Sequence, residues 1–237
     1  MKALLLATHN KAKLAELKLG VSSYLKGKVE IVSLNDLNIK VNPKETGQTF
    51  QENSFLKAKF YANLSKLPTI ADDGGLIIPS LNNEPGVKSR RWLGYEASDE
   101  KLITYTLDRL KGSLISYRTA YLETCLCFYY PLPSVIARSD SDEAISKNNE
   151  IPSLRDVRRP FARNDGVVIC EQEKIKGHIA KKSSGRPTKG YPFRALFVVE
   201  KYNKYYDELT DRQHHEINHR LIALKRLLNK AKKYLLE

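Results

Sequence analysis

Acidic and basic side chains are concentrated in residues 45–91, a span that includes the run Asp-Asp-Gly-Gly at 72–75. Adjacent carboxylates, here Asp72 and Asp73, can bind a divalent metal and orient a water molecule for attack. The glycines, including Gly75, let the backbone approach a ligand closely. An ordinary Asp/Gly turn has the same composition, so this run by itself leaves both a metal site and a turn open.

Glu52 and Lys57 belong to a predicted helix over residues 49–64. Glu52 lies near its N-terminus, where a carboxylate can hold Mg²⁺, which prefers oxygen ligands. Lys57 is placed to reach a phosphate oxygen. Thr49 and Glu52 also have the spacing of a capping box, so a purely structural role for Glu52 stays open.

Thr8, Asn10 and Lys13 lie where a predicted buried strand ends and a helix begins. Backbone N–H groups at a helix N-terminus attract phosphate, and a nearby lysine adds a full positive charge. Thr8 or Asn10 can instead cap the helix through its side-chain oxygen. These residues alone therefore predict either a phosphate site or a helix cap at this junction.

Further basic side chains come from residues 88–91, after a Pro-Gly pair, and from His219 and Arg220 near the C-terminus. Arginine suits phosphate because its planar guanidinium binds oxygens in pairs. A solvated basic surface is the ordinary alternative for both groups. Together with the carboxylates above, they favour divalent-metal and polyphosphate chemistry over a structural role.

Alternating strands and helices are expected to position these residues. The hydrophobic patterns predict strands at 3–7, 29–34, 68–71, 117–130, 166–171 and 193–199, and helices at 10–25, 49–64, 98–110 and 211–236. The strand–helix–strand opening favours parallel pairing in an α/β sheet. The run 72–75 is expected to break the third strand, and the apolar stripe of the last helix is expected to dock on the sheet.

We predict a single domain over residues 1–237, interrupted at 131–165 by a flexible surface insertion with prolines, Ser/Asp clusters and no sustained periodicity. Without the insertion, the strands on either side would be joined by a short hairpin connection. Cys125 and Cys127 lie two apart on a predicted strand and face the same way, so they cannot easily pair. We expect these two and Cys170 to be reduced packing residues.

The chain has 237 residues, of which 41% are hydrophobic, and a formal net charge of +13. Its length suits one large α/β domain or two lobes that share a sheet. No apolar run reaches the roughly 20 residues that cross a bilayer, so we expect a cytoplasmic protein without a membrane partner. The positive charge attracts anions such as nucleotides and nucleic acids.

Five blocks of sequence, in order along the chain, resemble the family of inosine triphosphate pyrophosphatases, also called non-canonical purine nucleoside triphosphate pyrophosphatases. The matching residues are Ala7-Thr8-x-Asn10-x-x-Lys13-x-x-Glu16, Glu45-Thr46-Gly47-x-Thr49-Phe50-x-Glu52-Asn53-x-x-x-Lys57-Ala58, Ala71-Asp72-Asp73-x-Gly75-Leu76, Pro85-Gly86-Val87-x-Ser89-x-Arg91 and His219-Arg220-x-x-Ala223-Leu224. The resemblance covers nearly the whole chain outside residues 131–165.

The resemblance implies an elongated α/β protein that forms a homodimer, with a mixed sheet, flanking helices and two lobes around a central cleft. It implies Mg²⁺-dependent hydrolysis of a nucleoside triphosphate to the monophosphate and pyrophosphate. Glu52 and Asp73 would serve the metal and the attacking water, with Asp72 as a further metal ligand. The substrate would be held by Thr8, Asn10, Lys13 and Lys57 at the triphosphate, by Gly75, and by Tyr191, His219 and Arg220 at the nucleoside.

The segment before the last predicted strand departs from the family pattern. The family has Gly-Phe-Gly-Tyr-Asp-Pro-x-Phe, and residues 190–197 here read Gly-Tyr-Pro-Phe-Arg-Ala-Leu-Phe. Tyr191 keeps an aromatic ring that can stack on a base, whereas Arg194 replaces the acidic residue that helps to read the purine. His214 stands where the family has a lysine. The metal and phosphate residues are therefore kept, and the residues that read the base are altered.

Two other functions fit the sequence. A nucleic-acid-binding protein on a degenerate hydrolase fold is suggested by the net charge of +13 and by the Lys/Arg-rich residues 181–204. Its binding would weaken steeply with salt. A related nucleotide hydrolase, such as a Maf-like pyrophosphatase, would share the metal and polyphosphate chemistry.

Overall fold

The computed structural model describes residues 2–132, 161–163 and 166–236, and for 161–163 the backbone alone. Its strands are β1 (Ala3–Ala7), β2 (Glu30–Ser33), β3 (Thr69–Ile78), β4 (Glu84–Pro85), β5 (Thr119–Pro131), β6 (Phe161–Arg163), β7 (Gly166–Ile179), β8 (Phe197–Val199) and β9 (Lys204–Tyr205). Its α-helices are α1 (Lys11–Leu25), α2 (Phe50–Ser65), α3 (Asp99–Arg109), α4 (Asp211–Ile217) and α5 (His219–Leu236). Of these helices, none combines the length and the apolar character needed to cross a membrane.

The described strands form one mixed sheet in the order β2-β1-β3-β5-β7-β8-β9, with β4 paired to β3 and β6 paired to β7. β1 is parallel to β2 and to β3, and the other pairs are antiparallel. Parallel strands need a crossover connection, and α1 and α2 supply the crossovers between the first three strands. The predicted mixed α/β sheet with flanking helices is confirmed.

The long central strands run through more than one hydrophobic core. Ile70 of β3 packs in a core covered by α1 and α5, and α2 covers the opposite face of the sheet there. Further along the same strand, Leu76 packs in a separate core with α3 and β8. β3 and its neighbours therefore connect two packed lobes, and a long strand is the element that can carry residues from one lobe to the other.

The run 72–75 lies inside β3 and does not end it, which corrects the prediction of a break at Asp72. Gly75 pairs with Glu123 in the ladder between β3 and β5. A Cβ atom at Gly75 would lie 2.0 Å from Ser89 Oγ, and this hydroxyl accepts a hydrogen bond from the Leu76 N–H at 3.1 Å. The glycine therefore lets another segment of the chain approach the strand closely.

The predicted helix over residues 211–236 is two helices in the structure. Asn218, with φ −62° and ψ 99°, interrupts it between α4 and α5. Its Oδ1 atom caps α5 by accepting a hydrogen bond from the Leu221 N–H at 3.1 Å. The apolar side of α5 packs on β5, β7 and α1, so the predicted docking of this helix on the sheet is confirmed.

Two other predicted strands have different bounds. The strand predicted at 166–171 continues as β7 to Ile179. The strand predicted at 193–199 is reduced to β8, because Pro192–Ala195 forms a 3₁₀ turn. Proline has no N–H to donate to a sheet, and its fixed φ suits the first position of such a turn.

Most of the insertion predicted at 131–165 lies outside the described residues. At its edges, Pro131 of β5 pairs with Gly166 of β7, which confirms the expected hairpin relation between these strands. Residues 161–163 form β6 against β7, a strand that was not predicted. That the insertion is flexible and interrupts a single domain stays a prediction.

Two of the three cysteines form a disulfide that was not predicted. Cys127 and Cys170 lie directly opposite each other on β5 and β7 and form a disulfide, with their Cα atoms 4.1 Å apart. The prediction that all three cysteines are reduced is wrong for this pair, because the register of the two strands brings together residues 43 apart in sequence. Cys125 is free and buried, as predicted.

Candidate active site

A cleft of about 1280 Å³ opens between the two lobes. Its lining comes from the start of α1, residues 42–45, α2, the middle of β3, residues 87–91, the start of α3, residues 187–194 and the start of α5. The predicted site residues that line it are Thr8, Asn10, Lys13, Lys57, Asp72, Asp73, Gly75, Tyr191, His219 and Arg220. Glu52 is the predicted site residue that does not.

Lys57 bridges two carboxylates in the cleft. Its Nζ atom lies 3.0 Å from Asp73 Oδ1 and 3.1 Å from Glu45 Oε1. Arg91 Nη2 lies 2.9 Å from the other oxygen of Glu45. Asp73 is 8% exposed, and its Oδ2 atom has no hydrogen-bond partner among the described residues. This Lys57 cluster, made of Glu45, Lys57, Asp73 and Arg91, combines oxygen ligands for a hard cation with cations that can bind phosphate.

Asp72 and Asp73 have different partners because successive side chains of a strand point to opposite faces. Asp72 Oδ1 lies 3.1 Å from Lys13 Nζ, and its Oδ2 accepts a hydrogen bond from Arg220 Nε at 2.9 Å. Burial raises the pKa of Asp72, but Lys13 and Arg220 outweigh burial and hold that pKa far below its usual range. Burial raises the pKa of Asp73 above its usual value, against the opposing effect of Lys57. One carboxyl group is therefore a fixed anion, and its neighbour is suited to accept a proton.

Glu52 lies outside the cleft, which corrects its prediction as a metal ligand and catalytic residue. Its Oε2 accepts a hydrogen bond from the Gln48 N–H at 2.6 Å, and its own N–H donates to Thr49 Oγ1 at 3.1 Å. The carboxylate therefore satisfies a backbone group at the start of α2. Of the two roles that the sequence left open for Glu52, the structure shows the structural one: Thr49 is the N-cap of α2, and the Glu52 carboxylate binds the N–H of the residue before Thr49.

Glu45 occupies the position that the sequence analysis assigned to Glu52. Gly47 makes this possible, because its N–H donates to Asn53 Oδ1 at 2.8 Å and a Cβ atom there would lie 2.6 Å from Glu52 Cβ. The chain therefore passes closely over the start of α2 and carries Glu45 to Lys57. The available signal was the Glu-Thr-Gly run at 45–47, an acidic residue followed closely by a glycine.

Asn10 is the N-cap of α1. Its Oδ1 accepts hydrogen bonds from the N–H groups of Ala12 at 2.9 Å and Lys13 at 3.1 Å, and its Nδ2 donates to the Gly190 carbonyl at 3.2 Å. Thr8 Oγ1 accepts from the Asn10 N–H at 3.2 Å. The cap is thus present, and it fixes the N-terminus of α1 and the position of Lys13 at the wall of the cleft.

Glu16 organises a second charged group, the Glu16 cluster, which consists of Glu16, Tyr191, Arg194, Asn218 and Arg220. The Glu16 carboxylate accepts hydrogen bonds from the Tyr191 hydroxyl at 2.6 Å and from Arg220 Nη1 at 2.8 Å, and also bonds Arg194 and Asn218. Burial raises the pKa of Glu16, but Arg220 and Arg194 hold it far below its usual range. The guanidinium of Arg194 lies 3.6 Å from the centre of the Tyr191 ring. The reversed charge at Arg194 is therefore neutralised by Glu16, a residue to which the sequence analysis gave no role.

His219 is buried at the start of α5, with 4% of its surface exposed. Its Nδ1 atom has no hydrogen-bond partner within the described ranges. Burial, and then the charge of Arg220, lower the pKa of His219 well below its usual value, so its imidazole is neutral. His214 does not line the cleft and packs its ring 4.8 Å from that of Tyr206.

The relationship of the chain to known proteins agrees with this geometry. The model of the Ham1 family matches residues 4–150 and 157–230. The chain belongs to the Ham1 family. A dITP/XTP pyrophosphatase of Thermoanaerobacter sp. (strain X514) is 32% identical over 227 residues, which are 95% of this chain and 94% of that protein. A dITP/XTP pyrophosphatase of Leptospira interrogans (serovar Lai, strain 56601) is 28% identical over 227 residues, with 96% and 95% covered.

Solved structures of Ham1 proteins have the same fold. A HAM1 protein from Coxiella burnetii has a TM-score of 0.72 and 25% sequence identity, with 98% of this chain and 100% of that chain covered. The resemblance read from the five sequence blocks is thereby confirmed at the level of the family. Within this Ham1-family chain, the roles of individual side chains rest on the geometry described above.

Proposed function

We propose that this Ham1-family chain hydrolyses non-canonical purine nucleoside triphosphates to the monophosphate and pyrophosphate, with Mg²⁺ as the metal. The observation that carries the proposal is the Lys57 cluster, in which Glu45 and Asp73 contact one ammonium group inside a cleft that Lys13 also lines. The relatives named dITP/XTP pyrophosphatases support the substrate class. The enzyme would remove damaged or unusual nucleotides from the pool.

The residues of the cleft fit a divalent ion. Asp73 Oδ2 is a buried carboxylate oxygen without a hydrogen-bond partner in the described part of the chain. No group of three or more His, Cys, Asp or Glu side chains in that part is arranged to hold a metal, and Mg²⁺ is often bound by one or two carboxylates together with substrate phosphates. Glu45 and Asp73 would hold the ion, with Asp72 as a fixed charge behind them. Bound there, Mg²⁺ would neutralise phosphate charge and lower the pKa of a water molecule.

Asp73 is the proposed general base. Water attacks the α-phosphorus, the bond to the oxygen that bridges the α- and β-phosphates breaks, and Asp73 accepts the proton of the water. Lys57 and Lys13 stabilise the negative charge on the departing pyrophosphate. Asp72 keeps Lys13 in place through their ion pair.

The Glu16 cluster is the proposed site for the nucleoside. Tyr191 offers an aromatic ring for stacking on the base, and its hydroxyl is anchored on Glu16. Arg220 is held between Glu16 and Asp72, so its position is set before substrate binds. Arg194 lines the cleft. Its guanidinium donates hydrogen bonds at the position where the family pattern has an acidic residue, which accepts them. We therefore expect a preference among purines that differs from that of a protein with the acidic residue.

The nucleic-acid-binding alternative gains no support from the basic last helix. Arg226 of α5 pairs with Glu171 at 3.0 Å and with Glu173 at 2.7 Å, and Lys230 pairs with Glu171 at 2.6 Å. These pairs occupy basic side chains of α5 and leave residues 181–204, on which the alternative rests, untested. The homodimer and the cytoplasmic location stay predictions, and light scattering after gel filtration would test the first.

The proposed function is tested by pyrophosphate release from a panel of triphosphates (dITP, XTP, ITP, GTP and ATP) with Mg²⁺, and with EDTA as the control. We expect turnover of a deaminated purine triphosphate, with the monophosphate and pyrophosphate as the products resolved by ion-exchange chromatography. No turnover of any member of the panel would refute the proposal. Salt-sensitive nucleic-acid binding without hydrolysis would support the alternative instead.

A further inference from the structure

Lys57 occupies the position between two carboxylates where a divalent ion would also lie. Its Nζ atom contacts Asp73 Oδ1 at 3.0 Å and Glu45 Oε1 at 3.1 Å. Its side chain is 13% exposed, so solvent ions screen these contacts poorly. Arg91 contacts the second oxygen of Glu45. Without metal, both carboxylates of the proposed metal site are therefore already bound by cations of the chain itself.

Around this position the cations of the chain outnumber the acids that they contact. The acids are Glu45, Asp72 and Asp73, and the cations in contact with them are Lys13, Lys57, Arg91 and Arg220. A divalent ion that entered alone would add positive charge to a set without surplus acid and would repel Lys57 at contact distance. A triphosphate brings negative charge with the ion, and its oxygens offer Lys57 new charge-assisted hydrogen bonds.

We propose that Lys57 keeps the metal position closed until the triphosphate arrives, by holding Glu45 and Asp73 in the free protein and moving to the phosphates when the metal–nucleotide complex binds. This inference rests on the proposed function and adds to it, because it makes Lys57 a competitor of the metal as well as a phosphate ligand. The partnerless Asp73 Oδ2 is the oxygen that remains available to the ion while Lys57 holds Oδ1. Metal alone then binds weakly, and by linkage the metal and the nucleotide strengthen each other's binding.

Binding of Mn²⁺ in the absence of nucleotide, followed by the electron paramagnetic resonance signal of the free ion, tests this inference. Lys57→Met removes the charge and keeps most of the length of the side chain. This variant should bind Mn²⁺ at least about tenfold more tightly than the wild type, because a contacting like charge is gone. Lys57→Arg keeps the charge and should bind as weakly as the wild type. Lys59→Met removes a lysine from the same helix but outside the cleft lining, and it should also behave like the wild type.

The coupling is measured by repeating the titration with saturating α,β-methylene-ITP, whose bridge cannot be hydrolysed. In the wild type, the analogue should raise the affinity for Mn²⁺ by at least about tenfold. In Lys57→Met the gain should be much smaller, because the competing ammonium group has already been removed. An equal gain in the two proteins would overturn the inference.

Equal affinity of the wild type and Lys57→Met for Mn²⁺ alone would also overturn the inference, whether both bind tightly or both bind weakly.

Thermal unfolding supplies a second measurement, because Lys57→Met leaves two acids without their cation and can thereby lower the stability of the protein. Mn²⁺ should raise the unfolding midpoint of Lys57→Met more than that of the wild type, because a ligand that binds the folded state stabilises it. The nucleotide panel on the wild type decides the proposed function separately. A wild type that hydrolyses triphosphates yet binds Mn²⁺ as tightly as Lys57→Met would refute this inference alone.

Discussion

The two charged clusters of the cleft differ in how completely their polar atoms are satisfied. In the Glu16 cluster, one carboxylate has bonds to Tyr191, Arg194, Asn218 and Arg220. In the Lys57 cluster, Asp73 Oδ2 has no hydrogen-bond partner among the described residues, and Lys57 is shared between two acids. A fully satisfied buried network rigidifies its surroundings, whereas a carboxylate oxygen without a partner is open to a ligand. The side chains at the proposed nucleoside end are thus held in a fixed geometry. At the proposed phosphate end, Lys57 can exchange its carboxylate partners for phosphate oxygens.

Arg220 connects these two regions. Its Nε atom bonds Asp72 at 2.9 Å, and its Nη1 atom bonds Glu16 at 2.8 Å. One planar guanidinium thereby sets the nucleoside end at a fixed distance from the strand that carries Asp73. A substrate aligned on Tyr191 would consequently have its triphosphate aligned on the reactive end, which is how positioning contributes to rate.

Among the residues of the Lys57 cluster, Asp73 should have the largest effect on activity. Asp73→Asn should lower kcat for the preferred triphosphate by about 10²–10⁴-fold, since the amide cannot accept a proton as a carboxylate does. The volume hardly changes, so circular dichroism should show a folded protein. Wild-type rates in this variant would remove Asp73 from the catalytic role and would undo the contrast between the two clusters.

Glu45→Gln and Glu52→Gln form a matched pair at the start of α2. Glu45→Gln should lower activity by at least about 10-fold and raise the Mg²⁺ concentration needed, because even outer residues of metal sites contribute that much. Glu52→Gln should leave kcat unchanged and cost about 1 kcal/mol of stability at most, because the amide oxygen can still accept the hydrogen bond from the Gln48 N–H. Rates at a series of Mg²⁺ concentrations compare the two. The reverse result would restore Glu52 as the metal ligand.

Because the Glu16 cluster is buried and fully bonded, removing the charge of Glu16 should lower the free energy of unfolding substantially. Glu16→Gln leaves the buried Arg220 without one of its two anions, and breaking such a pair costs about 3–5 kcal/mol. Urea unfolding followed by circular dichroism measures this loss. Glu200→Gln, which breaks the exposed pair with Lys176, is the control and should unfold like the wild type. Equal unfolding curves for the two variants would show that the Glu16 cluster is not rigid.

Acid should weaken the ion pairs of Glu16 and of Asp72. The pKa values of Glu16 and Asp72 are lower in the folded protein than in the unfolded chain, because nearby arginine and lysine charges outweigh burial. Their contribution to stability is complete above the unfolded values of about 4 and is lost as the pH falls below them towards the folded values. The urea concentration at the unfolding midpoint should therefore fall as the pH is lowered below about 4. Glu16→Gln should show a shallower drop, and an identical pH dependence would contradict the assignment.

The smallest expected effects concern Arg194. Arg194→Lys keeps the charge beside Glu16 but loses the planar stacking on Tyr191, which is worth about 0.5–2 kcal/mol, so KM should rise several-fold with kcat nearly unchanged. Arg194→Asp should shift the preference among bases, and it also places a second carboxylate beside Glu16, so its stability should fall. Initial rates across the nucleotide panel measure both variants. An unchanged nucleotide profile in Arg194→Asp would show that Arg194 does not read the base.

Local patterns were enough to find much of this cleft. Lys13 and Lys57 sit on helices that hydrophobic periodicity predicts, Asn10 caps the first of them, and Asp73 follows a predicted strand. All four line one cavity. Periodicity could not show that β3 continues through Asp72, because the strand is stabilised there by pairing with β5, a partner distant in the chain. It also could not show the break at Asn218, since the sequence on both sides has helical spacing.

Residue types and their order along the chain determined the fold class, the family and the kind of chemistry, because these depend on periodicity and on short motifs that are complete in themselves. Tertiary structure decided which acid reaches Lys57, since Glu45 and Glu52 are both near the start of α2 and only the path of the chain over Gly47 separates them. It also decided that Arg194 is neutralised by Glu16, because a pair 178 residues apart in sequence has no local signature. Charge balance is a property of side chains brought together in space.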